Sequence, residues 1–364
     1  MASHELHADL SIPVRREPAR CHNRWHPDIP PALVCHPGDD VVVTTRDAVD
    51  GQLSMDSTHE DLLRTDRTLV HPLTGPIFVD GAEPGDLLVV DILDVRTGSF
   101  GYTAQFPGFG FLSDEFPDPF LARWELAEGW ATSPDLPGLR IPGRPFMGVL
   151  GVAPSRDLLE RISARERELA ADGADVVLPD PRGAVPADDV IATEGLRTKP
   201  PRENGGNIDV KQIVAGTRAL FPVWAEGALF STGDAHFAQG DGEVCGTAVE
   251  TTATLYVRLD LIKSGAAERG VRDVKIYGKA GPARGDYVAT TGLSLYATGG
   301  RPEDLTGAVR SALRNMIDHL EDEHGYTRQQ GYAICSVAVD LKLSEIVDSP
   351  NYVVTAELPL DVLT

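Results

Sequence analysis

Short runs rich in Val, Thr and Leu recur along the chain, and each run follows a turn that contains glycine and aspartate. Glycine and aspartate suit the backbone of tight turns, and the β-branched residues that follow favour strands. The pattern therefore predicts several strands joined by tight turns. The four turns are Gly38-Asp39 before DVVVTT, Gly85-Asp86 before LLVVDIL, Gly240-Asp241 before GEVCGTAVE, and Gly285-Asp286 before YVATTGLSLYA.

Helical periodicity is confined to three segments. Residues 155–173 begin at Ser155, a residue that caps helix N-termini well, and end at Gly173, so they predict a helix. Residues 302–325 repeat apolar side chains at helical spacing and also end in glycine, which predicts a second helix. A weaker helical pattern begins at Val210 in the segment VKQIVAGTRAL.

The composition agrees with a fold built mainly from strands. The 364 residues include 36 glycines and 27 prolines, which favour short strands and turns over long helices. We expect a mainly β fold with α+β additions and a few peripheral helices. The chain length suits an N-terminal β-rich lobe (1–150), a helical and long-loop excursion (151–205), and a C-terminal β-rich lobe with an α+β part (206–364), interleaved in one compact unit.

The charge balance and the N-terminus exclude several classes of partner. Asp plus Glu (55) outnumber Lys plus Arg (33), which gives a net charge of −22, whereas binding to a phosphate backbone needs clustered cations. The N-terminus lacks the apolar run of a signal peptide, and no stretch of 18 apolar residues could cross a membrane. We therefore expect a cytoplasmic protein without nucleic-acid or membrane partners.

Common catalytic signals are missing from the sequence. The four cysteines are widely spaced, which predicts reduced thiols, and Cys245 and Cys335 lie in strand-like runs typical of buried thiols. The chain contains no GxSxG nucleophile elbow, no GxxxxGKS phosphate loop and no HExxH helix. If the chain is a hydrolase, a metal-activated water is therefore the expected nucleophile.

The first polar cluster is the segment Glu203-Asn-Gly-Gly-Asn-Ile-Asp-Val-Lys211. Gly205 and Gly206 predict a sharp turn, and Asn207 and Asp209 would share one face if the segment is extended. Their side-chain oxygens could then reach one centre. The alternative is a capped turn in which Asp209 is the N-cap of a helix that begins at Val210.

The second polar cluster lies between residues 231 and 243. Asp234 and His236 alternate on one predicted strand, and Asp241 and Glu243 alternate on the next after a glycine-bounded turn. A hairpin would bring these four side chains together, and mixed oxygen and nitrogen ligands suit Zn²⁺, or a harder ion if water completes the shell. Without a cation their burial would be costly. The alternative is an exposed acidic hairpin.

An aromatic loop supplies candidate walls for a pocket. The segment FPGFGF (106–111) places Phe109 and Phe111 among glycines. Such a loop either lines a small pocket with apolar edges or fills a core.

At these same residues the chain resembles the acetamidase/formamidase family. The resemblance implies hydrolysis of short aliphatic amides, formamide or acetamide, to a carboxylic acid and ammonia. It also implies a β-sandwich core of jelly-roll type, homo-oligomers, and divalent cations, either zinc or calcium. The segments that carry it span residues 22 to about 353: HNRWHPDIPP, HPLTGPIFVDGAEPGD, FPGFGFL, ENGGNIDVKQI, GALFSTGDAHFAQGDGEVCGTAVE and YAICSVAVDLKLSEIVDSPNYVV.

We therefore hypothesise a metal-dependent amidohydrolase whose site is assigned from the two polar clusters. The candidate metal ligands are Asp209, Asp234, His236 and Glu243, with Asn207 and Asp241 as substitute or outer ligands, and Zn²⁺ is favoured over Ca²⁺. Glu243, or Glu250 if Glu243 is a ligand, would carry the proton to the leaving nitrogen. The backbone N–H groups of Gly205 and Gly206 could bind the oxyanion. The candidate substrate contacts are Asn204, Asn207, Phe109 and Phe111.

Two other functions are compatible with the same residues. A β-sandwich binding module could hold Ca²⁺ structurally and recognise a small ligand without chemistry. A metal hydrolase could instead act on another C–N bond, such as that of a cyclic imide. Pocket volume cannot be derived from the sequence, so the preferred amide is left open.

Overall fold

The computed structural model describes residues 2–171, 176–211, 213–269, 274–277, 287–293, 305–345 and 353–363. These residues form a mainly β fold with five α-helices, as the sequence predicts. The helices are α1 (Arg156–Ala171), α2 (Asp189–Glu194), α3 (Gly265–Arg269), α4 (Leu305–His324) and α5 (Arg328–Ala338).

The strands are mostly short, and two of them are long. They are β1 (Ser3–His7), β2 (Cys21–His22), β3 (Arg24–Trp25), β4 (Leu33–Cys35), β5 (Asp39–Thr45), β6 (Leu73–Val79), β7 (Leu87–Gln105), β8 (Phe120–Ala127), β9 (Trp130–Thr132), β10 (Arg140–Pro142), β11 (Phe146–Gly151), β12 (Leu196–Arg197), β13 (Pro201–Arg202), β14 (Gly205–Asn207), β15 (Arg218–Pro222), β16 (Phe230–His236), β17 (Glu250–Ile262), β18 (Lys275–Tyr277), β19 (Tyr287–Leu293), β20 (Asp340–Glu345) and β21 (Val353–Pro359).

Sixteen of these strands form one continuous hydrogen-bonded network. Its main path runs β10-β9-β8-β7-β17-β16-β11-β14-β13, and β5, β6 and β15 branch from it with their own neighbours. The long strands β7 and β17 pair antiparallel over most of their lengths. Strands before residue 150 thus pair directly with strands after residue 206.

The first core is formed by alternating side chains of this network. In β17, Leu255, Val257 and Leu259 are fully buried, while the residues between them are half-buried, so one strand face points into the core. The same alternation occurs in β5, the antiparallel neighbour of β17. Apolar side chains from β6, β11, β15 and β16 complete this core, which therefore joins several strands of the network through side-chain packing.

A second core lies against the C-terminal helices. Helix α4 buries one face, which includes Leu313, Met316 and Leu320, beside the three-stranded sheet β19-β21-β20. Helix α5 packs into the same core together with residues of β8. The predicted helices at 155–173 and 302–325 correspond to α1 and α4. No helix among the described residues is long and apolar enough to cross a membrane.

Three local expectations are wrong. The run around Cys335 is helix α5 rather than a strand, because Thr327 and Gln330 form a capping box and the helix is buried on all sides. The segment after Val210 is not helical and leads into strand β15. The segment 240–249 consists of turns and loop, so Asp241 and Glu243 do not alternate on a strand and Cys245 does not lie in one. The turn Gly285-Asp286 lies outside the described residues.

Strand β16 is the element that positions the candidate site. It pairs antiparallel with β11 and, at its last two residues, with the first two residues of β17. Strand β11 also pairs with β14, which ends two residues before Asp209. These neighbours bring Asp234, His236, Glu250 and Asp209 to one region, although they come from three separate segments of the chain.

The buried imidazole of His22 makes the stability of this fold sensitive to acid. Its Nδ1 donates to the carbonyl of Arg24 (2.7 Å), and its Nε2 accepts from the hydroxyl of Ser231 (2.8 Å), so the neutral ring is fully hydrogen-bonded. Burial lowers the pKa of His22 to about 4, whereas an unfolded histidine titrates near about 6.5. Below that value the unfolded chain binds the proton first, so the contribution of His22 is complete above pH 6.5 and is lost as the pH falls.

We expect the wild-type protein to lose about 2 kcal/mol more unfolding free energy than the His22→Gln variant between pH 7 and pH 4.5. Glutamine can present one donor and one acceptor but does not titrate. Urea unfolding at both pH values measures the difference. An equal loss in the two proteins would contradict this account of His22.

Candidate active site

Asp234 and His236 form the base of the site on strand β16. They are two residues apart, so both side chains leave the same face of the strand. Both are almost completely buried, and Asp234 Oδ2 lies 3.5 Å from His236 Nε2. The sequence prediction that these two side chains lie together is consistent with this geometry.

Asp209 approaches the same point from the segment that follows β14, on the side of β11 opposite β16. Its backbone N–H, like that of Ile208, donates to the carbonyl of Gly148. A β-carbon at Gly148 would lie 2.6 Å from Asp209 Oδ1 and 2.8 Å from Asp234 Oδ2. Gly148 therefore leaves the space in which the two carboxylates meet.

Two glutamates complete a group of five side chains that we call the carboxylate cradle: Asp209, Asp234, His236, Glu243 and Glu250. Glu250 is the cross-strand partner of His236, and its Oε2 lies 3.2 Å from His236 Nε2. Glu243 Oε1 lies 3.9 Å from the same nitrogen. Two sets of three side chains, which share His236, each place their possible ligand atoms within 4.8 Å of one another. The first set is Asp209, Asp234 and His236, and the second is His236, Glu243 and Glu250.

The backbone is strained at three of the cradle residues. Asp209, Asp234 and Glu243 have φ angles of +47°, +57° and +41°, a region that L-residues other than glycine rarely occupy. Such conformations cost about 1–3 kcal/mol each and are maintained where the surrounding structure enforces them, often at functional sites. The strain directs these carboxylates inward.

Several buried polar atoms of the cradle have no hydrogen-bond partner within the part of the chain that the structure describes. They are Asp209 Oδ1, Asp234 Oδ1, His236 Nε2 and Glu250 Oε2. A buried polar atom is normally hydrogen-bonded, and several that converge need an explanation such as an ion. Two atoms about 2.0–2.1 Å from a tetrahedral zinc ion lie about 3.3 Å apart, close to the 3.2 and 3.5 Å separations around His236 Nε2. The residues present therefore fit a divalent cation.

Gln239 fixes the orientation of the His236 ring. Its Nε2 donates to the carbonyl of Asp209 (2.9 Å), so its Oε1 faces His236 Nδ1 at 2.8 Å and accepts a hydrogen bond from the Nδ1–H group. The tautomer with hydrogen on Nδ1 leaves the lone pair of Nε2 directed at the carboxylates. A metal-binding histidine usually has such an outer partner.

The pKa directions in the cradle reflect crowded negative charge. Burial raises the pKa of Glu250 to about 7 and raises the pKa values of Asp209 and Glu243 well above their usual range. Burial acts against the charged forms of Asp234 and His236 too, but attraction between carboxylate and imidazole outweighs it. The pKa of Asp234 is therefore lowered and that of His236 is raised well above its usual value. The cradle requires positive charge, from protons or from a cation.

A cavity of about 810 Å³ extends outward from the cradle. Its inner end is lined by cradle residues together with Tyr102, His71 and Asn207, and Phe109 and Phe111 line it further along. The aromatic loop predicted from the sequence thus contributes walls to the cavity. Such a volume lies within the range of about 300–1,000 Å³ that is typical of ligand pockets.

The other predicted site residues lie outside this cavity lining. The Asp241 carboxylate lies 3.4 Å from Lys211 Nζ, and the Asp241 N–H donates to Asp340. Asn204 donates to the carbonyl of Val152. Gly205 and Gly206 belong to β14, where they pair with Gly151 and Leu150 of β11.

Sequence reasoning missed three residues of the site. His71 Nε2 lies 3.7 Å from Asp234 Oδ2, and its Nδ1 is buried without a hydrogen-bond partner among the described residues. Gln239 orients His236, and Gly148 leaves space for the carboxylates. His71 and Gly148 stand far from both polar clusters in sequence, and only the position of Gln239 within the second cluster offered a signal.

Comparisons with known proteins match nearly the whole chain. Residues 7–364 match the acetamidase/formamidase family. The chain is 39% identical over 356 residues to an acetamidase of Mycolicibacterium smegmatis (90% of this chain, 87% of that protein). It is 37% identical over 376 residues to a formamidase of Methylophilus methylotrophus (97% and 92%). It also resembles the structure of a gamma lactamase from Delftia acidovorans, with a TM-score of 0.94 at 35% identity over 99% of this chain and 93% of that one.

A methyl group at position 148 is expected to damage the cradle. In Gly148→Ala the new carbon would displace the carboxylates of Asp209 and Asp234, so the affinity for Zn²⁺ should fall by about tenfold or more. Calorimetric titration of chelated protein with Zn²⁺ measures this, and circular dichroism monitors the fold. Gly331→Ala in α5 is the matched control, because its new carbon makes only ordinary contacts with Ile317 of α4. Equal zinc affinity in both variants would contradict the assignment.

Proposed function

This chain belongs to the acetamidase/formamidase family and hydrolyses amides, and we propose that Asp209, Asp234 and His236 hold a divalent cation for this reaction. The observation that carries the proposal is the convergence of their unpartnered, buried ligand atoms at the inner end of the cavity. The family membership rules out the non-catalytic binding module as the main function.

The donor set favours Zn²⁺ over Ca²⁺. Ca²⁺ takes oxygen ligands, whereas the nitrogen of His236 together with two carboxylates suits zinc. Three protein ligands with a further position open is the usual arrangement of a catalytic zinc site. A cation bound there would polarise the amide carbonyl and lower the pKa of a water molecule towards neutrality.

Glu250 is the residue best placed to carry the proton. Its Oε1 accepts a hydrogen bond from the backbone N–H of Ala248 at 2.9 Å, so the carboxylate is held firmly, while Oε2 finds no hydrogen-bond partner among the residues that the structure describes. Glu250 also lines the cavity. It can take the proton that the attacking water loses and deliver it to the leaving nitrogen. The C–N bond breaks, a C–O bond forms, and the products are a carboxylic acid and ammonia.

Asn207 is placed to orient the amide. Its Oδ1 has no hydrogen-bond partner among the described residues, and the side chain lines the inner end of the cavity. That oxygen can accept an N–H of the substrate amide. Tyr102 closes the same end, with its hydroxyl donating to the buried Asp47 carboxylate (3.0 Å). These contacts would hold the amide while water attacks.

The substrate class we propose is linear amides, with cyclic amides as a second candidate. A cavity of about 810 Å³ is far larger than formamide or acetamide needs. The structural similarity to a protein described as a gamma lactamase favours room for a ring. The acyl group accepted by this chain can therefore exceed two carbons.

We expect chelation to abolish ammonia release from acetamide and Zn²⁺ to restore it. Chelation should also lower the melting temperature, because the cation stabilises only the folded protein. Asp209→Asn should lower the zinc content of the protein. Glu250→Gln should retain zinc but lower kcat by about 10²-fold or more.

The exposed Glu226→Gln variant is the matched control for Glu250→Gln, because it makes the same chemical change away from the cavity. Metal analysis and ammonia release are measured on the same preparations. Full activity after complete removal of metal would contradict the proposed role of the cation. Loss of zinc from Glu250→Gln would make Glu250 a ligand rather than the proton carrier.

A further inference from the structure

The outer part of the cavity carries a charge opposite to that of the cradle. Arg67, Arg197 and Lys199 line it together with Phe106 and Phe109, and we call these five residues the basic rim. The chain as a whole has a net charge of −22, so three cations around one opening stand out from the overall balance. A small neutral amide would make no use of them.

Two of the rim cations lie over aromatic rings. The Arg67 guanidinium carbon is 5.0 Å from the ring centre of Phe106 and 5.2 Å from that of Phe109, and Lys199 Nζ is 3.9 Å from the ring centre of Phe109. Stacking uses the flat face of a guanidinium, so its N–H donors in the plane remain available. The Arg67 guanidinium donates to no described residue, and its donors can therefore receive an oxyanion.

Arg197 supplies a buried donor beside them. Its side chain is 8% exposed and Nη2 donates to the carbonyl of Arg67 (3.2 Å), but Nε is buried without a hydrogen-bond partner in the described part of the chain. The two carboxylates that attract its charge have cations of their own, since Asp66 pairs with Arg15 and Asp180 with Arg182. A buried guanidinium with an unused N–H favours an anionic ligand.

The rim is joined directly to the catalytic end. The hydroxyl of Thr198 accepts a hydrogen bond from the backbone N–H of His71 (2.6 Å) and donates one to the backbone carbonyl of His71 (3.0 Å). Thr198 immediately precedes Lys199, and His71 contacts Asp234. The carboxylate of Glu166, which also lines the cavity, is bound by Arg202 at 2.6 and 3.0 Å. A short chain of carbon atoms could therefore link a group on the rim to an amide at the cradle.

We propose that the amide hydrolysed here carries a carboxylate group a few carbon atoms from the C–N bond, which the basic rim binds. This inference rests on the proposed function and names its substrate class. The neutral amide lies at the cradle and the carboxylate lies between Arg67 and Arg197. Arginine pairs with carboxylates through two parallel hydrogen bonds, so the rim fixes the distance between the two groups as well as the charge.

The experiment compares two amides of the same shape. Succinamate carries a carboxylate, and 4-methylpentanamide has two methyl groups in place of the carboxylate oxygens. With the zinc-loaded wild-type protein, kcat/KM for succinamate should exceed that for 4-methylpentanamide by about tenfold or more, chiefly through KM. The preference should shrink at high salt, because part of it is long-range attraction. Arg67→Gln should remove most of the preference, and Arg67→Lys should keep part of it.

Arg96→Gln is the matched control. Arg96 is exposed, its guanidinium carbon lies 4.5 Å from the ring centre of Tyr256, and it does not line the cavity. Its preference should stay within about twofold of wild type. Equal kcat/KM for the two amides, or an unchanged preference in Arg67→Gln, would overturn the proposal. Acetamide is assayed in the same preparations. If acetamide alone is hydrolysed, the rim proposal fails and the proposed function stands; if none of the three amides releases ammonia, the proposed function fails first.

Discussion

Negative charge concentrated in a small buried space is the constraint on which the rest of this structure depends. Four carboxylates and one imidazole approach each other at the end of a cavity, and several of their oxygens have no hydrogen-bond partner among the described residues. Burial and mutual repulsion both act against their charged forms. Only added positive charge makes the arrangement stable, and a divalent cation supplies more of it than any proton can. A cation bound for this reason would also polarise the carbonyl of a bound amide.

The fold holds these charged side chains together because one strand joins the distant segments that carry them. Strand β16 holds Asp234 and His236, its partner β17 starts with Glu250, and β11 connects it to the segment that carries Asp209. Each of these side chains is thus fixed by the backbone hydrogen bonds of its segment rather than by a loose loop. Gly148 on β11 keeps the centre open. A rigid sheet is well suited to hold like charges together, because the pairing of its strands offsets their repulsion.

The parts of the fold and of the site that depend on neighbouring residues in the sequence could be predicted, and those that depend on contacts between distant segments could not. Alternation predicted that Asp234 and His236 share a face, because a strand repeats every two residues. The role of His71 could not be predicted, since contact with Asp234 depends on pairing between distant strands. The segment around Cys335 looked like a strand because a helix buried on all sides loses its amphipathic pattern. The domain boundaries, the oligomeric assembly and the cytoplasmic location stay predictions.

The central claim is that one cation lies among Asp209, Asp234 and His236. Anomalous X-ray diffraction from crystals of the zinc-loaded protein, collected on both sides of the zinc absorption edge, tests it most directly. The account predicts a single strong peak within bonding distance of His236 Nε2 and of a carboxylate oxygen from each aspartate, about 2.0–2.2 Å from each. A peak elsewhere, for example beside Asp241, or no peak in protein shown to be active, would contradict it.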